Sequence, residues 1–151
     1  MKWKESSKTY ITMTDEQKDL LYQDLCGRLP YMHLMLQWNG QDYNMIDIGF
    51  GRVTLLKPFM SMTSGSPLIE EVKPYLRPMS SMTEKEKDEL YTTMDWYGAI
   101  DENGNVETKG NEKVYRETFY QYIDWLNTHN FDYRGLIEQG LALEAPDGMY
   151  N

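Results

Sequence analysis

Two histidines and one cysteine are the whole supply of imidazole and thiol groups in this 151-residue chain. A histidine base, a thiol nucleophile or a nitrogen- or sulfur-ligated metal would therefore have to use His33, His129 or Cys26. A serine, cysteine or threonine nucleophile needs a base beside it in space, and none of the three residues stands in a nucleophile elbow or a comparable signature. Zinc would draw on the same side chains, but they lack the paired short spacings that mark a zinc site, so no zinc or other cofactor is expected. Cys26, beside Leu25 in a helical pattern, reads as a small buried hydrophobe, and His33 as a satisfied or exposed sheet residue. Glu70-Glu71 would do acid–base work only if burial separated two pKa values, and neighbours on a strand face opposite sides. A solvated pair is expected.

Two loops hold further candidates. Asp101, Asn103, Asn105 and Glu112 fall at positions 1, 3, 5 and 12 of a calcium-binding loop, where oxygen ligands wrap the ion. The hinge position that should be glycine is Val106, and a plain Asn103-Gly104 turn is the simpler reading. Gly49-Phe-Gly51 lacks the third glycine of a phosphate-cradling loop. The polar and aromatic run from His129 to Gly135, with Trp125 one turn earlier, forms a candidate recognition corner of Trp125, His129, Asp132, Tyr133 and Arg134. Its plainer reading is packing between helices, with Asp132 capping and Arg134 pairing locally.

These residues hang on elements that periodicity predicts. Thr14-Asp-Glu-Gln17 is a capping box, Leu21, Leu25 and Leu29 give an apolar face, and a helix over about 14–28 is stopped by Pro30. Residues 31–38 and 43–50 read as a hairpin about Asn39-Gly40, followed by a strand over 52–57. A loop over 60–67 leads to a short strand at 68–73 and an extended connector between Pro74 and Pro78. A second helix opens at Ser81 or Thr83 and runs to about Trp96, burying Leu90, Tyr91 and Met94. After a polar stretch at 98–111, Tyr115, Phe119, Tyr122, Ile123 and Leu126 mark a third helix, with Asn130 just past its end and His129 in its last turn. A short helix over 134–139 is closed by Gly140. The fold class that follows is α+β: an N-terminal helix, a small antiparallel curled sheet or SH3-like barrel, then two to three helices. The chain is one domain, or two joined lobes over 14–79 and 81–146.

Composition narrows the partners. At 40% apolar and 26% charged residues the chain is globular in composition rather than disordered. Its 15 basic residues against 24 acidic ones, a formal charge of −9, repel phosphate backbones and anionic lipids, so neither non-specific nucleic acid nor membrane is an expected partner. Lys2, Lys4 and Lys8 are the only local basic cluster and read as a solvated terminus. With a lone cysteine, no signal-like apolar run and no membrane-spanning stretch, a cytoplasmic protein is expected.

Three stretches resemble an uncharacterised protein family of gut bacteria and their phages or mobile elements: Pro74-Tyr-Leu-Arg-Pro-Met-Ser-Ser-Met-Thr83, the run from Asp124 to Glu138, and Gly140 to Tyr150. The helix ending Asp24-Leu-Cys-Gly-Arg-Leu-Pro30 is similar too. The resemblance implies an intracellular accessory protein and carries no activity, ligand or catalytic residue. Two functional expectations follow: a non-enzymatic module that binds another protein through an aromatic and acidic surface, or a small hydrolase whose carboxylates, Glu70, Asp132 or Glu138, converge in a cleft.

Overall fold

A computed structural model describes residues 13–31, 33–95 and 112–150. The basic residues before 13 and the whole 98–111 stretch, with the calcium candidates Asp101, Asn103 and Asn105, lie outside the described residues; Glu112 opens the third helix.

Helix α1 (Asp15–Arg28) starts as its capping box dictates, with Thr14 Oγ1 accepting from the Gln17 amide and the Gln17 side chain accepting from the Thr14 amide. Pro30 lies in a single tight turn, Leu29–Tyr31, that closes the helix. Strands β1 (Met35–Trp38) and β2 (Gln41–Gly49) form a hairpin whose two turn residues, Asn39 and Gly40, have φ of 51° and 75°. That is the left-handed pair a two-residue hairpin demands and Asn-Gly supplies. Strand β3 (Arg52–Leu56) pairs antiparallel with β2, with a register shift between Met45 and Asp47.

Two expectations fail between residues 65 and 78. The stretch 68–73 is not a strand: Ile69–Glu71 forms a tight turn in which the Glu71 carboxylate accepts the Leu68 amide, so Glu71 is used locally. The segment before it runs beside β3 instead, the Val53 amide donating to Pro67 O and the Leu55 amide to Gly65 O. The supposed connector is strand β4 (Lys73–Pro78), and it lies within the sheet. Proline suits edges because it cannot donate to a ladder. Here three short partners share β4, so neither Pro74 nor Pro78 must donate inside a long one: β1 pairs antiparallel at Lys73 and Pro74, while β5 (Phe131–Asp132) and β6 (Leu143–Glu144) pair parallel at 77–78 and 75–76.

Helix α2 (Glu84–Asp95) chooses Thr83 over Ser81 as its cap, through reciprocal bonds with Glu86. Leu90 is half-buried, but Tyr91 is exposed rather than packed. Helix α3 (Glu112–Thr128) ends at Asn130, whose φ of 59° is the left-handed stop expected there. The helix expected over 134–139 is a run of turns. Gly135 and Gly140 both take φ near +72°, outside helical geometry, and the Asp132 carboxylate accepts the Leu136 and Ile137 amides in place of helical carbonyls.

The result is α+β with an open six-stranded mixed sheet in the order β3-β2-β1-β4-β5, β6 also on β4, rather than a closed barrel. One cluster of buried side chains joins Leu21 and Leu25 of α1 to the alternating inner residues of the sheet and to Leu136, Leu141 and Ala142. No helix among the described residues is long and apolar enough to cross a membrane.

Candidate functional site

The recognition corner predicted from sequence is divided by the chain's own geometry. On one side, four groups stack in series: the Arg77 guanidinium lies 4.2 Å over the Phe131 ring, Phe131 lies parallel to Trp125 at 5.8 Å, and His129 stacks on Trp125 at 4.0 Å. Spacing explains it. Trp125 and His129 are one turn apart at the end of α3, and the left-handed Asn130 reverses the chain so that Phe131 returns beneath them. His129 Nδ1 is 2.8 Å from the Trp125 carbonyl, an atom that only accepts. In the neutral ring Nδ1 therefore carries the proton and Nε2 keeps a bare lone pair.

On the other side lies a buried ionic group. Arg28 donates from Nε and Nη2 to the two Asp24 oxygens at 2.8 and 3.0 Å, and from Nη2 to the Phe131 carbonyl at 2.7 Å. Asp24 and Arg28 are 0% and 1% exposed. Arg134 reaches the same carboxylate at 3.3 Å, so its partner is on α1 and not local. Both guanidiniums lie 5.2 Å from the Tyr133 ring, whose hydroxyl donates to Asn127 Oδ1. Asp132 is spent on the following turn. Of the five predicted binding residues, Asp132 thus holds the turn that follows it, Tyr133 and Arg134 fasten α1 to the end of α3, and Trp125 and His129 form the stack. Sequence reasoning missed Asp24 and Arg28, although they stand four apart on the Leu21–Leu25 stripe, which was the available signal.

Two clefts of about 530 and 460 Å³ flank the stack and share Arg77, His129 and Tyr150 in their walls. The larger is also lined by Glu86, Glu89, Glu144 and Asp147. There Glu86 receives both terminal nitrogens of Arg77, at 2.6 and 2.7 Å. Those bonds hold its carboxyl down to about 2; the Thr83 amide and hydroxyl add to the effect and burial opposes it. Among the described residues no Asp or Glu lines the smaller cleft, whose walls include His33, Met35, Asn44, Asn130 and Met149. Tyr150 closes it from the C-terminal tail: its hydroxyl accepts from the Met35 amide at 3.0 Å and donates to the Tyr75 carbonyl at 2.7 Å. Burial pushes that phenol well above its usual range, against the pull of the Met35 amide and Arg28.

The remaining candidates stand apart. Glu70 is exposed and 3.8 Å from Lys18, and Glu138 is exposed; neither they nor Asp132 line either cleft. Cys26 is half-buried rather than buried. Among the described residues no three His, Cys, Asp or Glu side chains are grouped to hold a metal ion.

The surface carries a different signal. Phe50 and Phe59 are 105% and 107% exposed, and both have left-handed backbones, at φ 53° and 66°. Gly49 and Arg52 pair across a two-residue turn, so Phe50-Gly51 repeats the geometry of Asn39-Gly40 with phenylalanine in the asparagine position. Phe59 follows Pro58 in a turn closed by the Met60 amide on the Lys57 carbonyl, at the position where such a turn asks for glycine. Met60 and Met62 are exposed beside it.

Compared with protein-family models, curated proteins and solved structures, the chain matches none.

Proposed function

We propose that this protein is a non-enzymatic module that binds another protein through the two turns at the ends of β3, a role in keeping with an accessory protein of phage or mobile-element type. The carrying observation is that Phe50 and Phe59 occupy left-handed positions while their side chains are fully exposed. A left-handed L-residue costs about 1–2 kcal/mol, and side chains held in solvent return none of it within the fold. Exposed aromatic and methionine groups on protruding loops are the composition of interface cores. The formal charge of −9 favours a protein partner over nucleic acid or an anionic lipid surface.

The test uses Phe50→Asn and Phe59→Gly, separately and together. Each places a residue suited to the turn, so each variant should be at least as stable as the parent in urea, by up to about 1 kcal/mol for Phe50→Asn. The double variant should lose a partner that the parent retains from an extract of the source cells. Equal recovery by parent and double variant, or no partner above background with the parent, sinks the reading.

A further inference from the structure

We propose that the smaller cleft, between the start of β1 and the end of α3, is a copper(I) site whose ligands are His33, His129, Met35 and Met149. The only two histidines in the chain stand 96 positions apart (129 − 33), and both line this one cleft. Two methionines line it with them. His33 and Met35 are two apart at the entry to β1, the spacing that puts side chains on one side of an extended backbone.

The chemistry of the donors selects the ion. Imidazole suits copper, zinc, iron and nickel, but thioether sulfur is a soft ligand that favours copper(I) over the hard or borderline cations. Calcium and magnesium want carboxylate oxygens, and no Asp or Glu among the described residues lines this cleft. His129 is prepared as a ligand: its Nδ1 donates to the Trp125 carbonyl and its ring is clamped on the Trp125 face. A metal-bound histidine characteristically gives its other N–H to such an acceptor, which fixes tautomer and orientation. The site also lies at the C-terminal end of α3, where the helix dipole is negative, in a chain of net charge −9, so a monovalent cation is drawn in. Arg77, which shares the wall, is neutralised by its two bonds to Glu86.

The inference is independent of the protein-binding reading, and the Phe50→Asn/Phe59→Gly variant should bind copper like the parent. The experiment is anaerobic titration of the full chain with copper(I) delivered from its bathocuproine disulfonate complex. Affinity is read by competition for the dye, and ligation by the imidazole C–H proton resonances, of which this chain has only two sets. One copper per chain is expected, with both imidazoles shifting. His33→Gln and Met149→Leu should each weaken binding at least about tenfold, since a ligand counts for no less than the outer-shell contacts whose loss costs about 10–100-fold. Met60→Leu, in the exposed loop, should change nothing. The proposal is overturned if no copper is taken from the dye, if only one imidazole responds, or if Met149→Leu binds like the parent. It is overturned equally if zinc(II) binds as tightly with the same two imidazoles, because the thioethers would then play no part.

Discussion

Replacing Asp24 by asparagine should be among the most damaging conservative changes this fold can suffer. The substitution keeps shape and volume, so its effect reports charge and hydrogen bonding alone. In the parent, one fully buried carboxylate accepts two bonds from Arg28 and lies 3.3 Å from Arg134. Asparagine removes the only negative charge between two guanidiniums, and its amide nitrogen, a donor, must face donors. Removing one partner of a buried pair costs about 3–5 kcal/mol because a buried charge is left uncompensated. The presence of a second cation puts Asp24→Asn toward the upper part of that range. Against a total of about 5–15 kcal/mol for a domain, this is a large share. At about 2–4 °C per kcal/mol for a chain of this size, the melting temperature should fall by about 6–20 °C. Urea unfolding followed by circular dichroism measures it directly. The double variant Asp24→Leu/Arg28→Met removes the buried pair and should be less destabilised than Asp24→Asn, its residual loss reflecting the Phe131 carbonyl that Arg28 no longer serves and the partly exposed Arg134 left without Asp24. An Asp24→Asn protein within about 1 kcal/mol of the parent, below the range for an uncompensated buried charge, would refute the reasoning and mean that the group is hydrated in solution.

Three further outcomes follow from single contacts. Gly65→Ala would set a Cβ 2.8 Å from the Trp38 ring, so the indole must move, and the variant should lose about 1–3 kcal/mol in urea unfolding. Glu86 has a folded pKa of about 2, below its ordinary 4.5, so its pairing with Arg77 contributes stability above 4.5 that is lost as pH falls toward 2. Glu86→Gln keeps the cap on α2 but has no charge to lose, and its stability should depend less on pH across that window in acid titrations followed by circular dichroism. Tyr150→Phe strands the Met35 amide and the Tyr75 carbonyl together and should cost about 1–3 kcal/mol, with faster amide exchange at Met35 as its local signature.

The elements that sequence reasoning found are those whose signals are local. Thr14 with Gln17, Thr83 with Glu86, and Asn39-Gly40 each fix a helix start or a turn through residues no more than three apart, and each appears where it was expected. What it misread depends on partners far along the chain. Pro74 and Pro78 argue for a connector when viewed alone. They become part of a strand because β1, β5 and β6, which come from positions 35, 131 and 143 onward, each take a short piece of β4. In the same way Arg134 reads as pairing locally, and its charge is met by Asp24 at a separation of 110 residues (134 − 24).

The site was less legible than the fold for a related reason. Ligand sets and stacks are written in spatial proximity, and the spacing of His33 and His129 in the chain says nothing about the cleft they share. Their distance in sequence hides that the turn at Asn130 and the strand entry at His33 bring both to one cleft. Phe50 is the opposite case. Its turn could be recognised from Gly49-Phe-Gly51, but as a failed phosphate loop it was set aside. Only beside Asn39-Gly40, with the same left-handed geometry and the residue it favours, does phenylalanine at position 50 stand out as a choice made against the backbone. The observation that carries the proposed interface is present twice in this chain, at Phe50 and Phe59: a residue unsuited to its backbone conformation whose side chain the fold leaves in solvent.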